Sequence, residues 1–187
     1  MSSSRSPTHL IVLDVQDAID QPMWNGKTNP GYLTVIQRMM AHWRQNAWRV
    51  IHVRHDEPTP TSTYHKGGPW NAIKAEVAPI DGEVVVAKEQ NCAFIGTDLD
   101  RVLRAIGATN FVLTGVVVHN SIDATVRAGK ALGYDIILPS DATTAVPVRG
   151  RNGKVFDAAT VYELTLAILG DEYAEVMTSE DVVARFA

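Results

Sequence analysis

The chain has 187 residues, 45% of them hydrophobic and 20% charged, enough for one domain with a substantial core. A formal net charge of −4 gives no electrostatic reason to bind nucleic acid or an anionic membrane, and no apolar run approaches the roughly 20 residues of a membrane helix. One cysteine, Cys92, excludes an internal disulfide framework, so a cytoplasmic location is the expectation.

Residues 1–7 read as a flexible tail ahead of a single domain spanning 1–187. The apolar run through residues 9–14 is a strand that ends on Asp14. A helix follows, with Thr28 or Asn29 as cap, Pro30 in its first turn, and Leu33, Ile36, Met40 and Trp43 at helical spacing. Residues 48–54 form a second strand ending on Arg54. Residues 55–80, rich in proline and glycine, form a long loop with room for one short helix, and such loops usually serve function. A third strand over 83–87 leads into Lys88.

Thr97 caps a helix reaching about residue 107, and residues 111–114 are the fourth strand. Ser121 opens a helix that Gly133 stops, and 135–138 is the fifth strand. After a polar loop over 139–153 come a helix over 157–169, a strand over 174–177 and a short helix capped by Ser179, with Glu180 and Asp181 in its first turn. Alternating short Val/Ile/Leu strands and helices predict a three-layer α/β/α sandwich around a six-stranded, mainly parallel sheet of Rossmann-like character. In such sheets ligands bind beyond the carboxyl ends of the strands. Asp14, Arg54, Lys88 and the Gly115–Ser121 turn all fall there.

Each of these residues also has an ordinary explanation. An aspartate at a strand end can cap or pair, a lysine can be a surface residue, and a serine before a helix can be a cap. Their convergence on one sheet edge, and the words around them, argue for chemistry. Leu-Asp-Val-Gln, Val-Val-Ala-Lys, Leu-Thr-Gly-Val, Ser-Ile-Asp-Ala-Thr-Val-Arg-Ala and Ser-Asp-Ala, in this order from about residue 8 to 178, resemble the isochorismatase-like hydrolase superfamily, also called the cysteine hydrolase family.

That resemblance implies a hydrolase with no cofactor, acting on a small molecule and assembling as a homo-oligomer. It implies Asp14 as catalytic acid/base, Lys88 as its partner, a cis peptide at Val116–Val117, and an oxyanion hole from the backbone N–H groups of Val117 and Ser121. Ser121 stands where the family's amidases carry a nucleophilic cysteine. A hydroxyl is far less acidic than a thiol and needs a base during attack. Three readings follow: C–N hydrolysis of an amide or carbamoyl compound through an Asp-Lys-Ser constellation, isochorismatase-type enol-ether cleavage with Asp14 as general acid, and a non-catalytic small-molecule binder or assembly protein. Retention of both Asp14 and Lys88 favours an enzyme.

Gln16, Trp24, Arg54, Tyr64, Trp70 and His119 are the candidate substrate contacts, with Arg127 near the same edge. Arg54 suits a carboxylate, or else pairs with Asp17, Asp56 or Glu57. Cys92 reads as a small buried apolar residue rather than a replacement nucleophile. His52, His55, Asp56 and His65 do not reproduce the metal pattern of nicotinamidase-type members, so no metal is expected, and His55 and His65 read as pocket walls.

Overall fold

The short apolar runs pair as parallel strands because helices cover both of their faces. The computed structural model describes residues 9–186, and the tail expected over 1–7 lies outside them. Its strands are β1 His9–Leu13, β2 Val50–His55, β3 Val84–Lys88, β4 Asn110–Val116, β5 Asp135–Pro139, β6 Thr143–Thr144, β7 Val148–Arg149, β8 Val155–Phe156 and β9 Glu175–Met177. The α-helices are α1 Tyr32–Gln45, α2 Leu99–Ala105, α3 Asp123–Ala131, α4 Ala158–Glu172 and α5 Ser179–Phe186.

The main sheet runs β3-β2-β1-β4-β5-β9, and the two-residue β6 pairs with β4 as a seventh strand not expected from the sequence. Every pairing in it is parallel. Alternation along β1 divides the core: Leu10 and Val12 pack with α1 and α5, while Ile11 and Leu13 pack with α2, α3 and α4. The chain leaves β1 toward β2 and β3, then returns to place β4 on the other side of β1. The crevice between the ends of β1 and β4 is therefore the switch point where open α/β sheets bind ligands.

Several boundaries differ from expectation. Helix α1 begins at Tyr32, because Asn29 takes a left-handed φ of 47° and its side-chain amide donates to the Asp141 and Thr143 carbonyls. Thr178, not Ser179, caps α5: its hydroxyl accepts from the Asp181 N–H at 3.1 Å, while the Ser179 hydroxyl donates to Asp141. The polar loop after β5 contains β6 and contributes β7 to an antiparallel hairpin with β8. Ser121 lies inside a widened turn, Val118–Ile122, ahead of α3 rather than at the helix start. In that turn the Ile122 N–H reaches back five residues to the Val117 carbonyl at 3.4 Å. Such wide turns recur at functional sites.

Candidate active site

Asp14 follows the last residue of β1 in a left-handed conformation, φ 59°, which aspartate tolerates better than most side chains. Its N–H stays bonded to the Val53 carbonyl at 2.9 Å, so the backbone is tied to β2. Lys88 ends β3, two strands away, and its long side chain reaches beneath the end of β2. Beyond β4 the Val116–Val117 peptide is cis and leads into the wide turn carrying Ser121. Gly115 makes this geometry possible: a Cβ there would lie 2.0 Å from the Leu13 carbonyl oxygen.

These elements bring the three side chains together. Lys88 Nζ lies 2.8 Å from Asp14 Oδ2 and 3.3 Å from Ser121 Oγ, and it donates to the Gln90 carbonyl at 2.9 Å. All three residues are buried. No hydrogen bond joins Ser121 to Asp14, and Asp14 Oδ1 is buried without a partner. An ammonium has three N–H groups, and all three are used here.

Asp14 and Ser121 open into a cavity of about 190 Å³. Its walls include Val116 and Val117, the rings of Trp24 and Tyr64, and the polar side chains of His55, Glu57, Ser62, Asn91 and Asn120. Tyr64 and Trp24 meet edge to face at 5.8 Å, and the Trp24 indole donates to Thr63. The Tyr64 hydroxyl donates to the Asp14 carbonyl, and burial, with Asp14 nearby, holds it protonated well above the usual phenol range. Burial pushes His55 below its ordinary range despite Asp14, so its 3.9 Å approach to Asp14 and 3.5 Å approach to Glu57 are contacts of a neutral ring, not ion pairs. Burial alone would raise Glu57, but hydrogen bonds from Thr59, with Lys88 nearby, lower it overall and keep it ionised. A larger open groove of about 650 Å³ lies at the opposite edge of the sheet, by Asn110, Asp135 and Glu175, and holds none of these groups.

Of the expected contacts, Trp24 and Tyr64 line the cavity and four others do not. Gln16 is fully buried and works as a staple: its Oε1 accepts from the His55 N–H at 2.7 Å, and its Nε2 donates to the His55 and Asn71 carbonyls. The Arg54 guanidinium is occupied by Asp56, with two bonds of 2.8 Å. Trp70 lies exposed on the loop surface. His119 is half-buried outside the cavity wall, and burial lowers its pKa. Arg127 pairs with Asp123 and lies over the Tyr173 ring at 4.4 Å. Cys92 is half-exposed rather than buried. His65 bonds the Glu57 carbonyl, and His52 bonds Glu83, so neither lines the cavity.

Glu57, Ser62, Asn91 and Asn120 were not anticipated. Only Asn120 carried a signal, its place immediately before Ser121. Among the described residues no group of three or more His, Cys, Asp and Glu side chains is arranged to hold a metal ion, and no helix is long and apolar enough to cross a membrane.

A parallel α/β sandwich with an acid, a lysine and a hydroxyl at its switch point belongs to a broad class of small-molecule enzymes. The isochorismatase domain model matches residues 8–181, and the chain belongs to the isochorismatase family. The isochorismatase family protein YrdC of Bacillus subtilis is 36% identical over 177 residues, covering 95% of each chain. A Chromobacterium violaceum crystal structure assigned to the same family superposes with a TM-score of 0.93 at 37% identity, covering 100% of this chain and 95% of the other. The ureidoacrylate amidohydrolase RutB of Stutzerimonas stutzeri is more distant, 32% identical over 121 residues, 64% of this chain and 47% of its own. The chain is a hydrolase of this family.

Proposed function

We propose that the protein hydrolyses a C–N bond in a small amide or carbamoyl compound, with its one domain carrying the whole site. The observation that carries this reading is Lys88 Nζ held between Asp14 Oδ2 and Ser121 Oγ at the floor of the cavity. Ser121 Oγ attacks the carbonyl carbon, and its proton passes to Asp14 Oδ1, the one carboxylate oxygen without a partner. The backbone N–H groups of Val117 and Ser121 hold the oxyanion. Asp14 gives the proton to the leaving nitrogen as the C–N bond breaks, then activates the water that releases the acyl group from Ser121. Lys88 holds the Asp14 carboxyl in place throughout.

One observation favours a second reading. Because no hydrogen bond links Asp14 to Ser121, the carboxyl is also free to act as a general acid toward an enol ether, with no covalent intermediate. The two are separated by assaying the wild type, Ser121→Ala and Ser121→Cys against simple amides and isochorismate. Amide turnover lost in Ser121→Ala, with an acyl adduct on Ser121 by intact mass, supports the first. Undiminished turnover in Ser121→Ala eliminates the serine nucleophile. A gain confined to Ser121→Cys identifies a disabled thiol amidase. Turnover by neither the wild type nor either variant favours a non-catalytic binder.

We further place the reaction in the cytoplasm, which suits a chain with a single cysteine, and in a homo-oligomer. Leu164 and Ile168, exposed one turn apart on α4, support self-association. A monomer by light scattering would remove that part of the reading.

A further inference from the structure

The charge of the cavity wall restricts what can enter it. Two carboxylates, Asp14 and Glu57, face the space, and no lysine or arginine does. The nearest cation, Lys88, has its three N–H groups committed to Asp14, Ser121 and Gln90. Arg54, the other candidate for holding an anion, is forked onto Asp56 outside the wall. His55 is neutral, so it adds no positive charge.

The acceptors of the wall are open where its cations are not. Asp14 Oδ1 is buried with no donor. Glu57 Oε1 takes the amide and hydroxyl of Thr59, whereas its Oε2 has only the His55 ring, at 3.5 Å. A substrate carboxylate would meet the open oxygens of Asp14 and Glu57. Lys88 offsets the charge of Asp14 but has no N–H left to hold a second anion, so the charge of Glu57 stands uncompensated and repels it in a partly dry cavity. A ligand carrying N–H groups would satisfy both oxygens. The cavity of about 190 Å³ is smaller than the roughly 300–1,000 Å³ of pockets for drug-sized ligands, so the ligand is small.

We propose that the site selects small amides that carry no carboxylate and present an amine or other N–H donor to Glu57. This deepens the amide reading given above and rests on it. It makes Glu57 a specificity-determining residue rather than part of the reacting group. It also opposes isochorismate, a dicarboxylate, as the ligand of this cavity.

Three matched probes test the charge rule: β-alaninamide (cationic), propanamide (neutral) and succinamate (anionic). Calorimetric titration of Ser121→Ala measures binding without turnover. The expected order is β-alaninamide, then propanamide, then succinamate, with about tenfold or more between the extremes at low salt. Glu57→Gln should narrow the gap between the cationic and neutral probes while leaving the fold intact by circular dichroism. Succinamate binding as tightly as propanamide overturns the proposal, and so does failure of all three to bind at millimolar concentration. Ammonia release from the same probes by the wild type is the separate test of amide hydrolysis. The charge order without ammonia from any probe retains the selectivity and defeats the amide reading. Ammonia released fastest from succinamate defeats the selectivity and retains the amide reading.

Discussion

Lys88 Nζ and Asp14 Oδ2 meet at 2.8 Å with both side chains almost completely withdrawn from water, although their strands are separated by β2. Such a pair gains little over an apolar pair of the same shape, but breaking it leaves an unpaired buried charge. Lys88→Met and Asp14→Asn should each cost about 3–5 kcal/mol of stability. The double variant should cost less than their sum by about 1–3 kcal/mol, because neither charge then lacks its partner. Urea unfolding of the four proteins gives this coupling directly. Strict additivity would mean that the contact has no energetic weight.

Gly115 is the tightest point of the scaffold. It sits between Leu13 and Thr143 with φ 127°, and an added Cβ would fall 2.0 Å from the Leu13 carbonyl oxygen and 2.7 Å from its nitrogen. Neither backbone can give way without parting β1 from β4. Gly115→Ala should therefore lower the melting temperature by roughly 10 °C or more, or prevent folding. Gly82→Ala is the control: φ there is 89°, but nothing lies within 4 Å of the new methyl group. An equal loss at both sites would trace the effect to backbone conformation and not to the clash.

Gln16 acts on the site from behind the cavity wall. Replacing it with leucine removes the acceptor for the His55 N–H and the donor to the His55 and Asn71 carbonyls, all in buried surroundings. Each group left unsatisfied costs about 1–3 kcal/mol. Loosening His55 and the loop through Asn71 should also raise KM more than it lowers kcat, since both hold the cavity wall and neither touches the Asp14–Lys88 pair through Gln16. Chemical unfolding and steady-state kinetics check the two effects separately.

The contrast between Gln16 and Asp14 shows what a sequence exposes. Asp14 and Lys88 were legible because each ends an apolar run, and parallel sheets put such ends on one edge. The positions of the main strands along the chain and their parallel pairing followed from the same pattern; their order in the sheet did not. The side chains one or two positions further on were harder. Gln16 was expected to face ligand, yet it bonds His55 across a loop whose path no local pattern dictates, whereas Arg54 takes the Asp56 pairing that was the alternative to a substrate contact. Glu57 and Ser62 reach the cavity because residues 55–80 fold back on themselves, with the Glu57 N–H bonded to the Tyr64 carbonyl and the Asn71 amide to the carbonyls of His55 and Tyr64. Those are tertiary contacts, invisible to periodicity. The start of α1 was misplaced for the same reason, since the Asn29 side chain is bound to the distant Asp141 and Thr143 carbonyls.

Acid should destabilise the protein in two separate pH windows. Burial holds the imidazoles of His52, His55 and His119 below the ordinary value of 6.5. Below that value the unfolded chain binds protons that the folded chain refuses, so stability falls as pH drops from about 6.5 toward the folded-state values. Glu83 acts lower. Burial would raise it, but hydrogen bonds from Arg44, the Ile80 N–H and His52 bring it down to about 2 from an ordinary 4.5. Its contribution is complete above about 4.5 and is lost as pH falls toward about 2. His55→Asn should flatten the slope of unfolding free energy between pH 7 and 5 and leave the Glu83 window unchanged. Glu83→Gln should flatten the slope at the acid end and, because His52 bonds that carboxylate, lower His52 further instead of leaving the histidine window unchanged. Denaturant titrations across pH 3–8 compare the slopes, and a His55→Asn profile parallel to the wild type from pH 7 to 5 would show that His55 titrates normally.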